Sequence, residues 1–349
     1  MKIAQICHSF YPSFGGIETH VQAISEELAR RSHDVTVVTT DPTGMLPKRS
    51  SAKGIRIVRH RSFAPRGAYH FSPTLIRYLF KRKFDVMHAH GYHTLIPLQT
   101  TLSSRNGRLV LTTHFKGASH SSFRRKLLFV YRPLMSVVMK KAEVIICVSE
   151  KEREDLKSIF PKVKSKFQVI PNGVNLDQFR TLRRSEQSRN TILCVSRLER
   201  YKGVQYLIKC LKYLPSEFHL RIVGKGTWEE KLRRMTSRLR LEDRVVFRES
   251  INRKELMWEY GNASIFVLLS KYEAFGVSVA EALASSLPCI VADSGALSEW
   301  TRHDGCEGIA YPINVQELAQ KIQNMSGKFY KRNSIFSWKE VVNKLEQIY

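Results

Sequence analysis

Short runs that are apolar at nearly every position recur along this chain, each followed by a longer segment with helical spacing. In the first half they fall at residues 2–7 (KIAQIC), 34–40 (DVTVVTT), 85–90 (DVMHAH), 109–113 (LVLTT), 144–149 (VIICVS) and 167–171 (FQVIP). A strand with one wet face alternates apolar and polar residues, whereas a continuous run suits a parallel strand covered on both faces. Residues 17–31 read as the first intervening helix. A second series starts at Thr191 with TILCVS, FHLRIVG, RVVFRE, SIFVLLS and CIVAD. Two such series predict an α/β chain with two Rossmann-like, doubly wound domains facing across a cleft, a division that 349 residues also favour. The polar stretch 172–190, rich in Arg and Ser, reads as the linker, giving domains at 1–172 and 173–334. A ligand is expected between the carboxyl ends of the two sheets.

Charge narrows the partners. Lys and Arg number 57 against 31 Asp and Glu, a net +26. Residues 51–150 hold 18 basic and 3 acidic residues, whereas 251–300 hold 3 basic and 6 acidic. An excess this localised points to one face for one anionic partner: nucleic acid, a membrane surface or a phosphorylated substrate. The alternative is a general solvated charge. The six cysteines (Cys7, Cys147, Cys194, Cys210, Cys289 and Cys306) form no C-x-x-C pair, so a reducing compartment with neither disulfides nor a thiolate metal site is expected. With no leader-like apolar stretch and no run of 18 apolar residues, an intracellular chain with at most peripheral membrane contact is expected.

Three segments carry chemistry. The loop Tyr11-Pro-Ser-Phe-Gly15-Gly16-Ile-Glu18, ahead of the first helix, would let backbone N–H groups approach an anion; an ordinary turn is the alternative. Ser196-Arg197-Leu-Glu-Arg-Tyr-Lys202-Gly203 follows the strand TILCV. It would bring a guanidinium and an ammonium to a strand's carboxyl end, where they suit a pyrophosphate, against the alternative of two solvated charges. Glu273-Ala-Phe-Gly-Val-Ser-Val-Ala-Glu281 sets two carboxylates across a glycine turn and the start of a helix. Carboxylates accept paired hydrogen bonds from vicinal hydroxyls, so a sugar or ribose fits; helix capping is the alternative.

With these segments in this order, and with GGIETHVQAISEELARRSHDVTVVTT, VIPNGVNLDQF and EAFGVSVAEALASSLPCIVAD, the sequence resembles the retaining nucleotide-sugar glycosyltransferases of family four (glycosyltransferase group 1). These have the GT-B fold, and the resemblance spans nearly the whole chain. It implies that Arg197 and Lys202 hold the donor pyrophosphate, with Gly15 and Gly16 approaching it from the first domain. It implies that Glu273 and the backbone of Phe275, Gly276 and Val277 hold the sugar, and that Glu281 grips the ribose. Gly224 joins the donor-binding set, and the base would lie near 248–253. The catalytic set is then His114, Glu273, Arg197 and Lys202. Family members often carry a glycine pair where this chain has Asp293-Ser-Gly-Ala, so one glycine is missing. The terminal helix, 335–349, would cross back to the first domain with Trp338 and Leu345 packed on it.

No D-x-D occurs, and neither a metal nor a cofactor is expected; the nucleotide sugar is a substrate. His8, His88, His90 and His93 stay ambiguous, since HAHGYH has a spacing that also suits a metal. Residues 71–84 and 121–141 combine aromatic, apolar and basic side chains. In the second, Leu127, Val130, Tyr131, Leu134, Val137 and Val138 have helical spacing, flanked by Arg124, Arg125, Lys126, Lys140 and Lys141, with a kink expected at Pro133. A basic amphipathic helix suits an anionic membrane, and related transferases often use lipid-linked acceptors. The expectation is therefore a metal-independent hexosyltransferase of glycan biosynthesis, peripheral at the inner face of the membrane. Two other classes remain: a sugar-nucleotide epimerase of the same fold and a nucleic-acid-binding or nucleic-acid-modifying protein. The second lacks stacking motifs, zinc spacings and a recognition-helix pattern.

Overall fold

The apolar runs become strands of two sheets. The computed structural model describes the chain except residues 14, 66–68, 106, 118–121, 181, 183–189, 250, 329 and 331–334, and the side chains of 122–130, 164, 165 and 180. It forms two compact units: Met1–Gly173 with Phe336–Tyr349, and Val174–Ile335.

The first unit holds β1 (Lys2–Ile6), β2 (Asp34–Asp41), β3 (Arg49–Ala52), β4 (Ile55–Arg61), β5 (Val86–His90), β6 (Arg108–Thr112), β7 (Val144–Cys147) and β8 (Phe167–Val169). Their order is β3-β4-β2-β1-β5-β6-β7-β8, parallel throughout except for the β3–β4 pair. On the helix Gly16–Arg30, Val21, Ile24 and Leu28 fall on one stripe and join Ile3, Val35, Val37 and Val86 in a core cluster. The helix Trp338–Glu346 buries Val341, Val342 and Leu345 in that same cluster, with Trp338 packed at its margin. A reciprocal cap between Ser337 and Glu340 starts it, a device worth ~1 kcal/mol.

The second unit holds β9 (Thr191–Val195), β10 (His219–Val223), β11 (Val245–Arg248), β12 (Ile265–Leu268), β13 (Cys289–Ala292) and β14 (Cys306–Ile309). All pairs are parallel, in the order β11-β10-β9-β12-β13-β14. Strand order therefore reverses direction between β9 and β12, as it does between β1 and β5 in the first unit. In open α/β sheets such reversals open a crevice outside the carboxyl ends of the strands. All six cysteines are buried and unbridged.

Three expectations need correction. The stretch 172–190 is not linker throughout: it contains the helix Leu176–Arg180, whose Phe179 is buried against Tyr260 of the second unit; residues 181 and 183–189 lie outside the described residues. The apolar positions of 121–141 do not share one face. Ser122–Lys141 is helical through Pro133. Tyr131, Met135, Val138 and Met139 are buried in the core, whereas Leu134 and Val137 are 41% and 53% exposed. The inward stripe therefore runs i, i+4, i+7, i+8 from Tyr131, and the two exposed residues lie off it. The side chains of Arg124, Arg125, Lys126, Leu127 and Val130 lie outside the described residues. Finally, β3, β4 and β14 have no counterpart among the sequence runs. β3 (RSSA) is wholly exposed, β4 (IRIVRHR) mixes buried and exposed positions and carries three Arg, and β14 (CEGI) is short and interrupted by Glu and Gly.

Among the described residues, no helix is long and apolar enough to cross a membrane.

Candidate functional site

In the second unit, neighbouring parallel strands bring four loops to one edge of the sheet. Arg197 and Lys202 follow β9, Gly224 follows β10, Glu273 follows β12, and Asp293 to Ala296 follow β13. The loops are tied together, since Lys271 N–H donates to the Tyr201 carbonyl at 2.8 Å and Ser294 Oγ donates to the Lys271 carbonyl at 2.9 Å. Close approach explains two glycines. A Cβ at Gly224, whose φ is +134°, would stand 2.0 Å from the Ser196 carbonyl oxygen. At Gly276, with φ +91°, it would stand 2.8 Å from Leu297 Cδ2.

Arg197 is exposed and donates from Nη2 to the Tyr201 hydroxyl at 3.2 Å. Lys202, in the turn Arg200–Lys202, instead points inward and forms an ion pair with Glu273. Their side chains are only 8% and 12% exposed, so the pair is almost wholly withdrawn from water. The sequence separates these two into pyrophosphate and sugar contacts; the fold joins them.

Gly276 caps the helix Val277–Ala284, whose first N–H groups have no acceptor within the helix. Phe275 is fixed just before it, its carbonyl accepting from Trp300 Nε1 at 2.6 Å and its ring edge-on to the indole. Further along, Glu281 accepts from Arg253 Nη1 at 2.5 Å and from the Tyr260 hydroxyl at 2.9 Å. Burial, then the adjacent Glu281 carboxylate, raises the Tyr260 phenol well above its ordinary value, so it stays a donor. Arg253 lies in the stretch 248–253, but its pairing with Glu281 and the part played by Tyr260 escape sequence reasoning. Their one trace is i, i+7 spacing on the helix Arg253–Gly261.

In the first unit, Gly15 and Gly16 open the helix Gly16–Arg30. Gly15 is extended, with φ −177°, a conformation open to any residue. A Cβ on Gly16 would meet nothing within 4 Å, so the chain's own packing does not require glycine there. His114 follows β6 in a left-handed conformation, φ +47°, unusual for a residue with a side chain. Buried Glu152 fastens the chain on both sides of it: the carboxylate accepts from Thr113 Oγ1 at 2.5 Å, from Phe115 N–H, and from Val148 N–H at 2.6 Å. Nothing in the sequence marks Glu152, which the notation VSEKERE presents as one more charge on a helix start. Glu152→Ala would leave buried donors without their acceptor and is expected to cost on the order of 3 kcal/mol, with Glu152→Gln recovering part of it. Denaturant midpoints measure this; an alanine variant with the native midpoint would remove the clamp from the account.

The histidines of HAHGYH separate. His93 is exposed and stacks on Phe115, whereas His88 and His90 are buried in β5. His8 lies 3.5 Å from the Glu18 carboxylate and edge-on to His70. His90 is gathered instead with His20 and His114, at ring separations of 5.4 Å (His20–His90), 4.9 Å (His20–His114) and 5.9 Å (His90–His114). Burial holds the imidazolium form of His20 down to about 4, against a stabilising bond to Asn172. Burial also drives His90 and His114 well below their ordinary value.

The likeness to known proteins follows the same division. The family described as Glycosyltransferase Family 4 matches residues 14–178, and that described as Glycosyl transferases group 1 matches residues 177–332. An uncharacterized glycosyltransferase of Methanocaldococcus jannaschii is 25% identical over 390 residues, covering 100% of this chain and 98% of that one. The GDP-mannose:cellobiosyl-diphosphopolyprenol alpha-mannosyltransferase of Xanthomonas oryzae is 26% identical over 374 residues, covering 99% and 95%. Among solved structures, Anabaena HepE in complex with UDP and glucose matches with a TM-score of 0.78 at 19% identity, covering 100% of this chain and 99% of that one.

Proposed function

Because this chain belongs to the group 1 glycosyltransferases of glycosyltransferase family 4, with their GT-B fold, we propose that it moves a hexose-type sugar from a nucleotide-diphosphate donor to a lipid-linked acceptor, with retention and without a metal. The observation that carries the reading is the Lys202–Glu273 ion pair, with Arg197 on the same loop after β9, where the strand order of the second unit reverses. The second unit is the donor side and the first the acceptor side.

In the reaction proposed, the bond between the sugar's anomeric carbon and the diphosphate oxygen breaks, leaving an oxocarbenium-like sugar and a nucleotide diphosphate. Arg197, Lys202 and the N–H groups at Val277 oppose the negative charge gathering on the leaving oxygen, the most productive place for fixed dipoles and cations. The acceptor oxygen attacks from the face the phosphate is leaving, and the phosphate takes its proton. Glu273, already paired with Lys202, accepts from the sugar hydroxyls. Glu281, oriented by Arg253 and Tyr260, accepts from the ribose. His114, held neutral by burial, is the first unit's candidate hydrogen-bonding group for the acceptor.

A lipid-linked acceptor is supported by the name of the Xanthomonas relative, an alpha-mannosyltransferase acting on cellobiosyl-diphosphopolyprenol, and by the basic excess of residues 51–150. Exposed Phe71 and Phe80 lie beside exposed Arg77, Lys81, Arg82 and Lys83, a mixture suited to peripheral binding at the inner face of a membrane. Binding to anionic vesicles is expected to rise with anionic lipid and fall with salt, since exposed charges are screened over ~8–10 Å. Reversing Arg124, Arg125 and Lys126 together is expected to weaken binding by a few kcal/mol at most, at ~1 kcal/mol per basic residue. Co-sedimentation with neutral and anionic vesicles measures both; equal binding of wild type and variant would count against the membrane face.

The transferase reading is tested by screening UDP- and GDP-sugars for binding, then supplying the best donor with a polyprenyl-diphosphate-linked sugar. Absence of binding by any nucleotide sugar would sink it, as would conversion to an isomeric donor with no acceptor present. A chelator is expected not to lower turnover.

A further inference from the structure

Three buried imidazole nitrogens in the first unit point at one another with no hydrogen-bond partner among the described residues. They are His20 Nε2 from the helix Gly16–Arg30, His90 Nδ1 from the end of β5, and His114 Nε2 from the turn after β6. One ring nitrogen from each of these three histidines lies within 4.8 Å of the others.

Two of them are bare lone pairs. The far nitrogen of His20 sits 2.7 Å from Asn172 Oδ1, and that of His90 sits 2.7 Å from Gln5 Oε1. An amide oxygen only accepts, so the ring proton belongs on the far nitrogen in each case. Gln5 is held in that orientation because its amide nitrogen donates to the Tyr349 hydroxyl at 3.0 Å. Lone pairs cannot satisfy one another, and buried polar atoms left without partners cost ~1–3 kcal/mol each. The neighbouring His88 shows the contrast, with both nitrogens engaged, one by Tyr349 and one by Thr112.

We propose that His20, His90 and His114 form a binding site for one divalent transition-metal ion of the Zn²⁺ type, with water in the fourth position. Neutral imidazoles select such ions over Mg²⁺ or Ca²⁺, and a three-histidine set with one open position is an established way of holding Zn²⁺. At metal–nitrogen distances of ~2.0–2.1 Å the three nitrogens would stand ~3.4 Å apart, so the imidazoles draw together on binding. Asn172 and Gln5 supply the outer contacts that fix ring orientation in metal sites. The ion is not part of the transfer chemistry. It engages the imidazole of His114, which the proposed reaction uses, so occupancy and turnover oppose each other. This last consequence rests on the transferase reading, whereas metal binding does not.

The test is a titration of the chelator-stripped full chain with Co²⁺, read by visible absorption. The expected result is the spectrum of a four-coordinate ion, saturating at one equivalent, displaced by Zn²⁺ and untouched by Mg²⁺. His90→Gln is expected to abolish it, and Asn172→Ala to weaken affinity 10–100-fold. Wild-type protein that unfolds cooperatively yet shows no such spectrum, and retains neither Co²⁺ nor Zn²⁺ through gel filtration, would overturn the proposal and leave a bridging water as the occupant. A spectrum that survives intact in His90→Gln would also overturn it, by putting the ion elsewhere. The wild-type titration decides without any variant having to fold, and it reads binding even if no sugar is ever transferred.

Discussion

Lys202→Ala is expected to lose both stability and turnover, and to do so more severely than any other single change at the donor side. The ammonium and the Glu273 carboxylate are almost wholly withdrawn from water, with side chains 8% and 12% exposed. Removing one partner of such a pair strands the other in a poor dielectric, a change that costs ~3–5 kcal/mol in comparable cases. For a unit of this size that lowers the melting temperature by roughly 10 °C. Turnover is expected to fall by ~10²–10³-fold in the folded fraction, since the ammonium is one of the cations matched to the leaving diphosphate. The double variant Lys202→Met with Glu273→Gln separates the effects. It removes both charges, so stability is expected to return while turnover stays low. Thermal unfolding and steady-state kinetics on the three proteins provide the measurement. A single variant that melts normally would dissolve the buried pair, and a double variant with native turnover would remove these charges from the chemistry.

The strands that bury both faces were legible, because a parallel strand between helices is apolar at nearly every position, with few places for a polar residue such as Gln5 or His90. Hence KIAQIC, VIICVS and TILCVS announce β1, β7 and β9, and with them the two-sheet plan. The edges were not. A strand such as β4, next to the edge strand β3, mixes buried and exposed positions, and its Arg56, Arg59 and Arg61 break the apolar run that marks the central strands. The loops of the candidate site could be read because each follows a legible strand, with Arg197 and Lys202 after β9 and Glu273 after β12. Pairing was beyond reach. Glu281 with Arg253, Lys202 with Glu273, and Glu152 with the turn at His114 each join residues 28 or more positions apart, and side-chain partners at that range depend on strand order, which no local pattern encodes. The histidine cluster shows the same limit more sharply. HAHGYH draws attention to spacing along one strand, and alternation does put His88 and His90 on one face, their rings 4.1 Å apart, yet His88 already has both nitrogens engaged by Tyr349 and Thr112. The fold selects His90 from that motif and adds His20 and His114 from two other elements.

Arg197→Ala isolates the other cation under conditions where folding is not in question. The side chain is exposed, and its hydrogen bond to the Tyr201 hydroxyl is 3.2 Å long. Losing a contact of this kind at a surface shifts stability by no more than ~0.5 kcal/mol. Turnover is a different matter if the guanidinium meets the diphosphate. Its planar fork offers parallel donors to two phosphate oxygens, and the charge there grows as the sugar–oxygen bond stretches, so the contact is stronger in the transition state than in the bound donor. A loss of at least ~10²-fold is expected, carried mainly by kcat, with the donor KM changed far less. Arg197→Lys keeps the charge but not the fork, and is expected to recover only part of the loss. Tyr201→Phe removes only the hydroxyl that steadies the guanidinium, and should fall by a few-fold, in line with a single neutral hydrogen bond of ~0.5–1.5 kcal/mol. The three variants thus form a graded series, with steady-state kinetics on the best donor as the readout. If Arg197→Ala turned over at near-native rate, the leaving diphosphate would have to be held elsewhere, and the loop after β9 would lose its place in the reaction.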